Sequence, residues 1–169
     1  MRSLEHYEAL LYSRRKLLEW VHELTPEQYV QEFPFGHKTV RATLAHLAGA
    51  EWLCGKNVRG EEFKRGNLPF TATTHPDLRS LETGWKELEA STRAWLECEK
   101  DWTRRLEKVT EMPGGKRVRV GYTPEKLAFH MFYHEVHHRS QIMAMLRFMG
   151  RSVQNLDFSR YAYDWTELE

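Results

Sequence analysis

The chain reads as an all-α protein, a four-helix bundle with a long crossover between its second and third principal helices and a small β-hairpin before the last. Three observations predict this. Apolar residues recur at helical spacing in four separate stretches. A Gly- and Pro-punctuated connection of roughly 20 residues divides the second from the third, longer than bundle helices need when they are antiparallel neighbours. A Pro-Gly-Gly turn between two short alternating runs precedes the final stretch. The 169 residues suit one domain, enough to bury about 70% of the unfolded surface.

Residues 4 to 23 place Leu4, Tyr7, Leu10, Leu11, Leu17, Leu18 and Val21 on one face, broken only around Ser13 to Lys16, which predicts a first amphipathic helix. Thr25-Pro26-Glu27-Gln28 combines an N-cap, a proline at the first helical position and a glutamine at the third, announcing a short helical turn. Phe33-Pro34-Phe35-Gly36 punctuates the chain. Thr39 caps a helix running from Val40 past Leu53, with small residues on one side, Leu44, Leu47 and Glu51 on a neighbouring stripe, and His46 in its middle. From Gly55 to Pro76 no period holds, so this is the crossover. A solvated course suits it best, although it can also rim a pocket. His75 at its end has no expected metal role.

Asp77 to about Lys108 is expected as one long helix, with Leu78, Leu81, Trp85, Leu88, Trp95, Leu96, Trp102 and Leu106 along its apolar face. Residues 109 to 122 read as the hairpin, with Lys116, Arg117 and Arg119 on its solvated side. Thr123-Pro124-Glu125 starts the last helix, which runs to a natural C-cap at Gly150. The tail carries Phe158, Tyr161, Tyr163 and Trp165, an anchoring coil or one more helical turn.

Composition excludes several function classes. Lys plus Arg number 25 against 24 Asp plus Glu, and a net charge of +1 makes no field that draws nucleic acid or an anionic membrane. No apolar run approaches the ~20 residues of a membrane span. The N-terminus opens into charged helical sequence without a signal-peptide core, which sets the expectation of a cytoplasmic protein. Cys54 and Cys98 are too few for a disulfide framework and are expected as reduced thiols.

Chemistry concentrates in the last helix. Four of the nine histidines, His130, His134, His137 and His138, fall within nine residues. Intervals of four stack His130, His134 and His138 on one helical face, and imidazoles at that spacing can reach one metal ion. They interrupt a core stripe made by Leu127, Met131, Ile142, Leu146 and Met149. Imidazoles at core depth cost roughly 1–3 kcal/mol each if unpartnered, and a bound cation removes that cost. A histidine-rich surface helix is the competing reading, and a third ligand from another segment decides between them. His46 is the candidate, although an isolated histidine in an alanine-lined helix is more often a hydrogen-bonded core residue.

The stretch Thr39-Val-Arg-Ala-Thr-Leu-Ala-His46-Leu-Ala-Gly-Ala-Glu51-Trp52, followed at long range by His130-Met-Phe-Tyr-His134-Glu-Val-His-His138-Arg-Ser-Gln-Ile142, resembles the DinB-like superfamily of helical bundles. The resemblance implies an up-down-down-up bundle, commonly a homodimer, with a metal triad of His46, His134 and His138. It implies metal-dependent transferase or isomerase chemistry with a low-molecular-weight thiol, or else hydrolysis. Two positions depart from the family pattern: Ser140 stands where glycine is frequent, and Tyr133 where asparagine is usual.

Three neutral imidazoles leave open positions on Zn²⁺, Ni²⁺, Mn²⁺ or Fe²⁺, and softness does not choose among these ions. Glu51 and Glu135 are candidates for a base or a group behind the ligands, with a surface carboxylate as the plainer expectation for both. His130 and His137 are candidates for orienting the ligands. A metal-stabilised binding or stress-response module without turnover is the alternative function. A hydrolase is weaker, since no carboxylate is placed by spacing as a base.

Overall fold

A computed structural model describes residues 3–63, 65–112 and 114–166. Its helices are α1 (Ser3–His22), α2 (Pro26–Tyr29), α3 (Val40–Val58), α4 (Leu78–Cys98), α5 (Pro124–Phe148) and α6 (Ser159–Ala162), with strands β1 (Leu106–Glu111) and β2 (Arg117–Tyr122) between α4 and α5. α4 and α5 each pack against both α1 and α3. Among the described residues no helix is long and apolar enough to cross a membrane.

The local signals act as their chemistry requires. Thr25, Thr39, Asp77 and Thr123 each accept a backbone N–H of the first turn of α2, α3, α4 and α5, and Thr25 with Gln28 forms a reciprocal capping box. α5 ends on a Schellman motif: Gly150 at φ 77 donates to the Arg147 carbonyl at 2.9 Å, and Arg151 donates to that of Leu146 at 2.9 Å. The hairpin pairs antiparallel in register from Leu106 opposite Tyr122 to Glu111 opposite Arg117. Pro113 of its turn and the last residues of the tail lie outside the described residues.

Two expected boundaries are wrong: α3 runs on through Val58, past the Gly55 at which the crossover was expected to begin, and the end of α4 lies earlier than expected. α4 stops at Cys98, not near Lys108, and Leu106 opens β1. The chain turns away where Glu99 adopts extended φ and ψ, Asp101 accepts the Thr103 N–H at 3.0 Å, and Arg104 forks between Glu99 and the Val58 carbonyl. Trp102 still packs on Trp95, but from the loop, which is why its spacing mimicked a continuing helix.

The core falls into two apolar clusters. One gathers Leu17, Leu44, Leu81, Trp85, Ile142 and Leu146, the other Tyr7, Leu11, Cys54, Trp95, Leu127 and Met131. A polar layer drawn from all four long helices lies between them in sequence along each helix. Arg14 of α1 donates to Glu51 of α3 at 2.7 Å and to Glu135 of α5 at 3.2 Å. Glu51 also accepts from Tyr7 at 2.5 Å, from Thr92 at 2.8 Å and from the Trp85 indole at 2.9 Å. The break in the first helix's apolar pattern at Ser13 to Lys16 is the place where Arg14 enters this layer.

Candidate metal centre

His46 projects from the middle of α3 and His134 and His138 from consecutive turns of α5, and these two helices pack together. Helical spacing stacks His134 on His138, with ring centroids 4.4 Å apart, and interhelical packing brings His46 to 4.8 Å and 4.6 Å from them. The Nε2 atoms of His46 and His134 are 3.0 Å apart. Two nitrogens each ~2.0–2.1 Å from one ion lie roughly 3 Å apart, so this separation suits a shared ion.

The state of the rings also fits metal binding. Burial pushes the His46 imidazolium down to about 4, with His37 and His138 adding to the effect. Burial does the same to His134, to about 3, helped by His138, His46, His130 and His137. His138 is lowered by burial, partly opposed by its bond to Gln141. These rings are neutral near pH 7, the form in which imidazole binds a metal. The Nδ1–H of His138 donates to Gln141 Oε1 at 2.8 Å, which leaves its Nε2 lone pair facing away from that bond.

Beside the cluster runs a cleft of about 1130 Å³ between α3, the crossover and the hairpin, with His46, Gly49, Leu53, Phe63, Phe70 and Tyr122 among its walls. The small residues of α3 let the crossover come close: a methyl at Gly49 would sit 3.4 Å from the Phe70 carbonyl. The crossover thus rims a cleft, the lesser of the two expectations for it. Across the mouth, Lys108 donates to Asn57 at 2.8 Å and its ammonium lies 5.2 Å from the Phe63 ring centroid. Arg117, expected only as solvated surface, also lines the cleft.

Other expected site residues sort by contact. His130 is exposed with its ring 5.3 Å from His134. His137 is exposed, 4.7 Å from the His138 ring, and accepts from the Gln141 amide at 3.1 Å. Both therefore flank the stacked pair.

Glu51 and Glu135 are not surface carboxylates; they are 2% and 3% exposed, held inside by Arg14. The expectation failed because Arg14 sits on another helix, where α3 and α5 give no sign of it. Tyr133, the family departure beside a ligand, is 72% exposed and stacks on Phe129, so its phenol points away from the imidazoles.

Two residues went unnoticed in the sequence as site members. His37, in the loop before α3, has its ring 3.9 Å from that of His46, and the ligand nitrogens of His37, His46 and His138 all lie within 4.8 Å of one another. Gln141 bridges His138 and His137. Its position one turn after His137 and His138 was the only available signal for it. For His37 the signal was its closeness in sequence to the Thr39 cap.

Comparison with known proteins follows the same lines. The family model described as DinB family matches residues 1–167. A crystal structure of a DinB-like protein from Bacillus cereus ATCC 10987 superposes with a TM-score of 0.57 at 20% identity, covering 89% of this chain and 94% of that one, a likeness of fold. No curated protein gives a match.

Proposed function

Because the chain belongs to the DinB family, we propose that it is a divalent-metal-dependent transferase acting with a low-molecular-weight thiol, its metal held by His46, His134 and His138. The observation that carries this is the pair of Nε2 atoms of His46 and His134, 3.0 Å apart, with His46 itself on the wall of an open cleft. A bound Zn²⁺, Ni²⁺, Mn²⁺ or Fe²⁺ supplies a Lewis acid that keeps a thiol as thiolate near neutral pH.

The chain's own residues do the rest. Gln141 keeps the His138 proton on Nδ1. Desolvation keeps His46 and His134 neutral. Ala42, Ala45, Gly49 and Ala50 make a smooth wall along which a substrate reaches His46. Transfer is favoured over hydrolysis because Glu51 is saturated by Arg14, Tyr7, Thr92 and Trp85 and is no free base.

The proposal includes a homodimer, supported by the exposed Phe129, Tyr133 and Val136 on one face of α5, and an up-down-down-up order of helices, supported by the crossover spanning residues 59–77. A cytoplasmic site suits the free Cys54 and Cys98.

The test is elemental analysis of the purified protein, then screening with glutathione, bacillithiol and mycothiol in the native metal form. His46→Ala or His138→Ala should abolish both metal content and thiol-dependent turnover. Turnover that survives metal removal would overturn the reading.

A further inference from the structure

The loop before α3 brings His37 to His46 and His138, whose nitrogens lie within 4.8 Å of one another with its own, a grouping that does not include the expected ligand His134, which meets the set through His46 at 3.0 Å. This loop is built to hold its shape: Phe33 donates to the Lys38 carbonyl at 2.7 Å, Lys38 to that of Phe35 at 3.0 Å, and Thr39 to that of His37 at 2.8 Å. It is seated on the residue that orients His138. Gly36 adopts φ +56, and a methyl there would lie 2.6 Å from Gln141 Oε1, the atom that accepts from His138 Nδ1. Lys38 at φ 67 is the one described non-glycine residue in the left-handed region, a conformation that L side chains adopt at a cost, and it directly follows His37. Strain of that kind persists where the surroundings hold a side chain in a required place.

His37 differs from the other rings in its attachment. His46, His134 and His138 are fixed by two packed helices, and His138 is only 8% exposed. His37 is exposed, so its side chain can rotate away from the other rings while the loop keeps its backbone bonds and the core stays closed. Four nitrogen donors complete the usual set of a closed metal site, whereas three leave a position for substrate.

We propose that His37 is a displaceable fourth imidazole, joining His46, His134 and His138 around the metal in the resting protein and yielding its place to a small anionic donor such as a thiolate. The inference rests on the metal-centre reading above and adds a gate to it. A ligand in place nine-tenths of the time lowers the apparent affinity of a competitor about tenfold.

Cobalt(II) is the probe, because its visible spectrum reports the kind and number of donors. Wild type, His37→Ala and His46→Ala are loaded with cobalt, checked for fold by circular dichroism and titrated with azide. His37→Ala should keep cobalt, change the spectrum, bind azide about tenfold more tightly and regain the wild-type spectrum when free imidazole is added. An unchanged spectrum and azide affinity in His37→Ala, with cobalt lost from His46→Ala, overturns the gate and leaves the metal centre standing. Complete loss of cobalt from folded His37→Ala also overturns it, by making His37 a fixed ligand. Wild type that takes up no cobalt, or His46→Ala that takes it up equally well, overturns the metal centre and the gate together.

Discussion

Arg14 shows how one side chain can organise a core. Its guanidinium lies over the Trp85 ring at 4.0 Å and between two buried carboxylates, and its charge is reinforced because Glu135 and Glu51 outweigh the cost of burial. Arg14→Met leaves Glu51 and Glu135 buried without their counter-charge, and should lower stability by about 3–5 kcal/mol in denaturant unfolding. Burial pushes the Glu51 carboxyl up, but Arg14 and the hydrogen bonds from Tyr7, Trp85 and Thr92 prevail and hold it below its ordinary value of 4.5. The unfolded chain therefore takes up this proton first. The stabilisation from Glu51 should be fully present above about pH 4.5 and be lost as pH falls further, through the lower folded-state value. Thermal melts between pH 7 and pH 3 check this, and Glu51→Gln should flatten the acid limb.

Gln141→Ala removes the acceptor from His138 Nδ1 and should weaken metal binding by about 10- to 100-fold, read by chelator competition.

At the scale of elements, α5 carries both the stacked imidazoles and part of the polar layer, and its exact end matters less than its register. Gly150 has φ +77, with nothing near a methyl built on it. Gly150→Ala should therefore cost about 1–2 kcal/mol from backbone conformation alone and leave metal affinity unchanged. Denaturant unfolding and metal titration of the same variant check the two halves of that statement. α3 is a second example of division of labour, since its alanine and glycine face makes the cleft wall while its opposite stripe sends Glu51 inward. The misplaced end of α4 belongs to this scale as well. Trp102 and Leu106 continue the apolar spacing of a helix, yet Trp102 reaches Trp95 from a turn and Leu106 packs against the same apolar cluster from a strand, because periodicity records burial and not the path of the backbone.

For the molecule as a whole, the proposed metal centre would couple metal binding to folding, because its histidines come from two packed helices. A ligand bound only by the folded state, present at a thousandfold over its Kd, stabilises by about 4 kcal/mol. For a chain of this size that is roughly 8–16 °C in Tm. Chelation should lower Tm by this order in wild type and leave His46→Ala unmoved, as scanning calorimetry can show. Stabilisation without any thiol reaction would favour the alternative of a metal-braced binding module.

How much of this was legible can be judged residue by residue. Caps at Thr25, Thr39, Asp77 and Thr123, the hairpin and the stacking of His134 on His138 depend on neighbours a few residues away, so the sequence by itself determined them. The assignment of His46 to that pair needed the family pattern, since a helical period says which face is apolar but not which helix it meets. Tertiary structure alone decided the burial of Glu51 and Glu135, because their counter-ion comes from α1, 37 and 121 residues away from Arg14 in sequence. It alone decided that His37 joins the imidazoles, because a loop has no period from which its side chains can be placed.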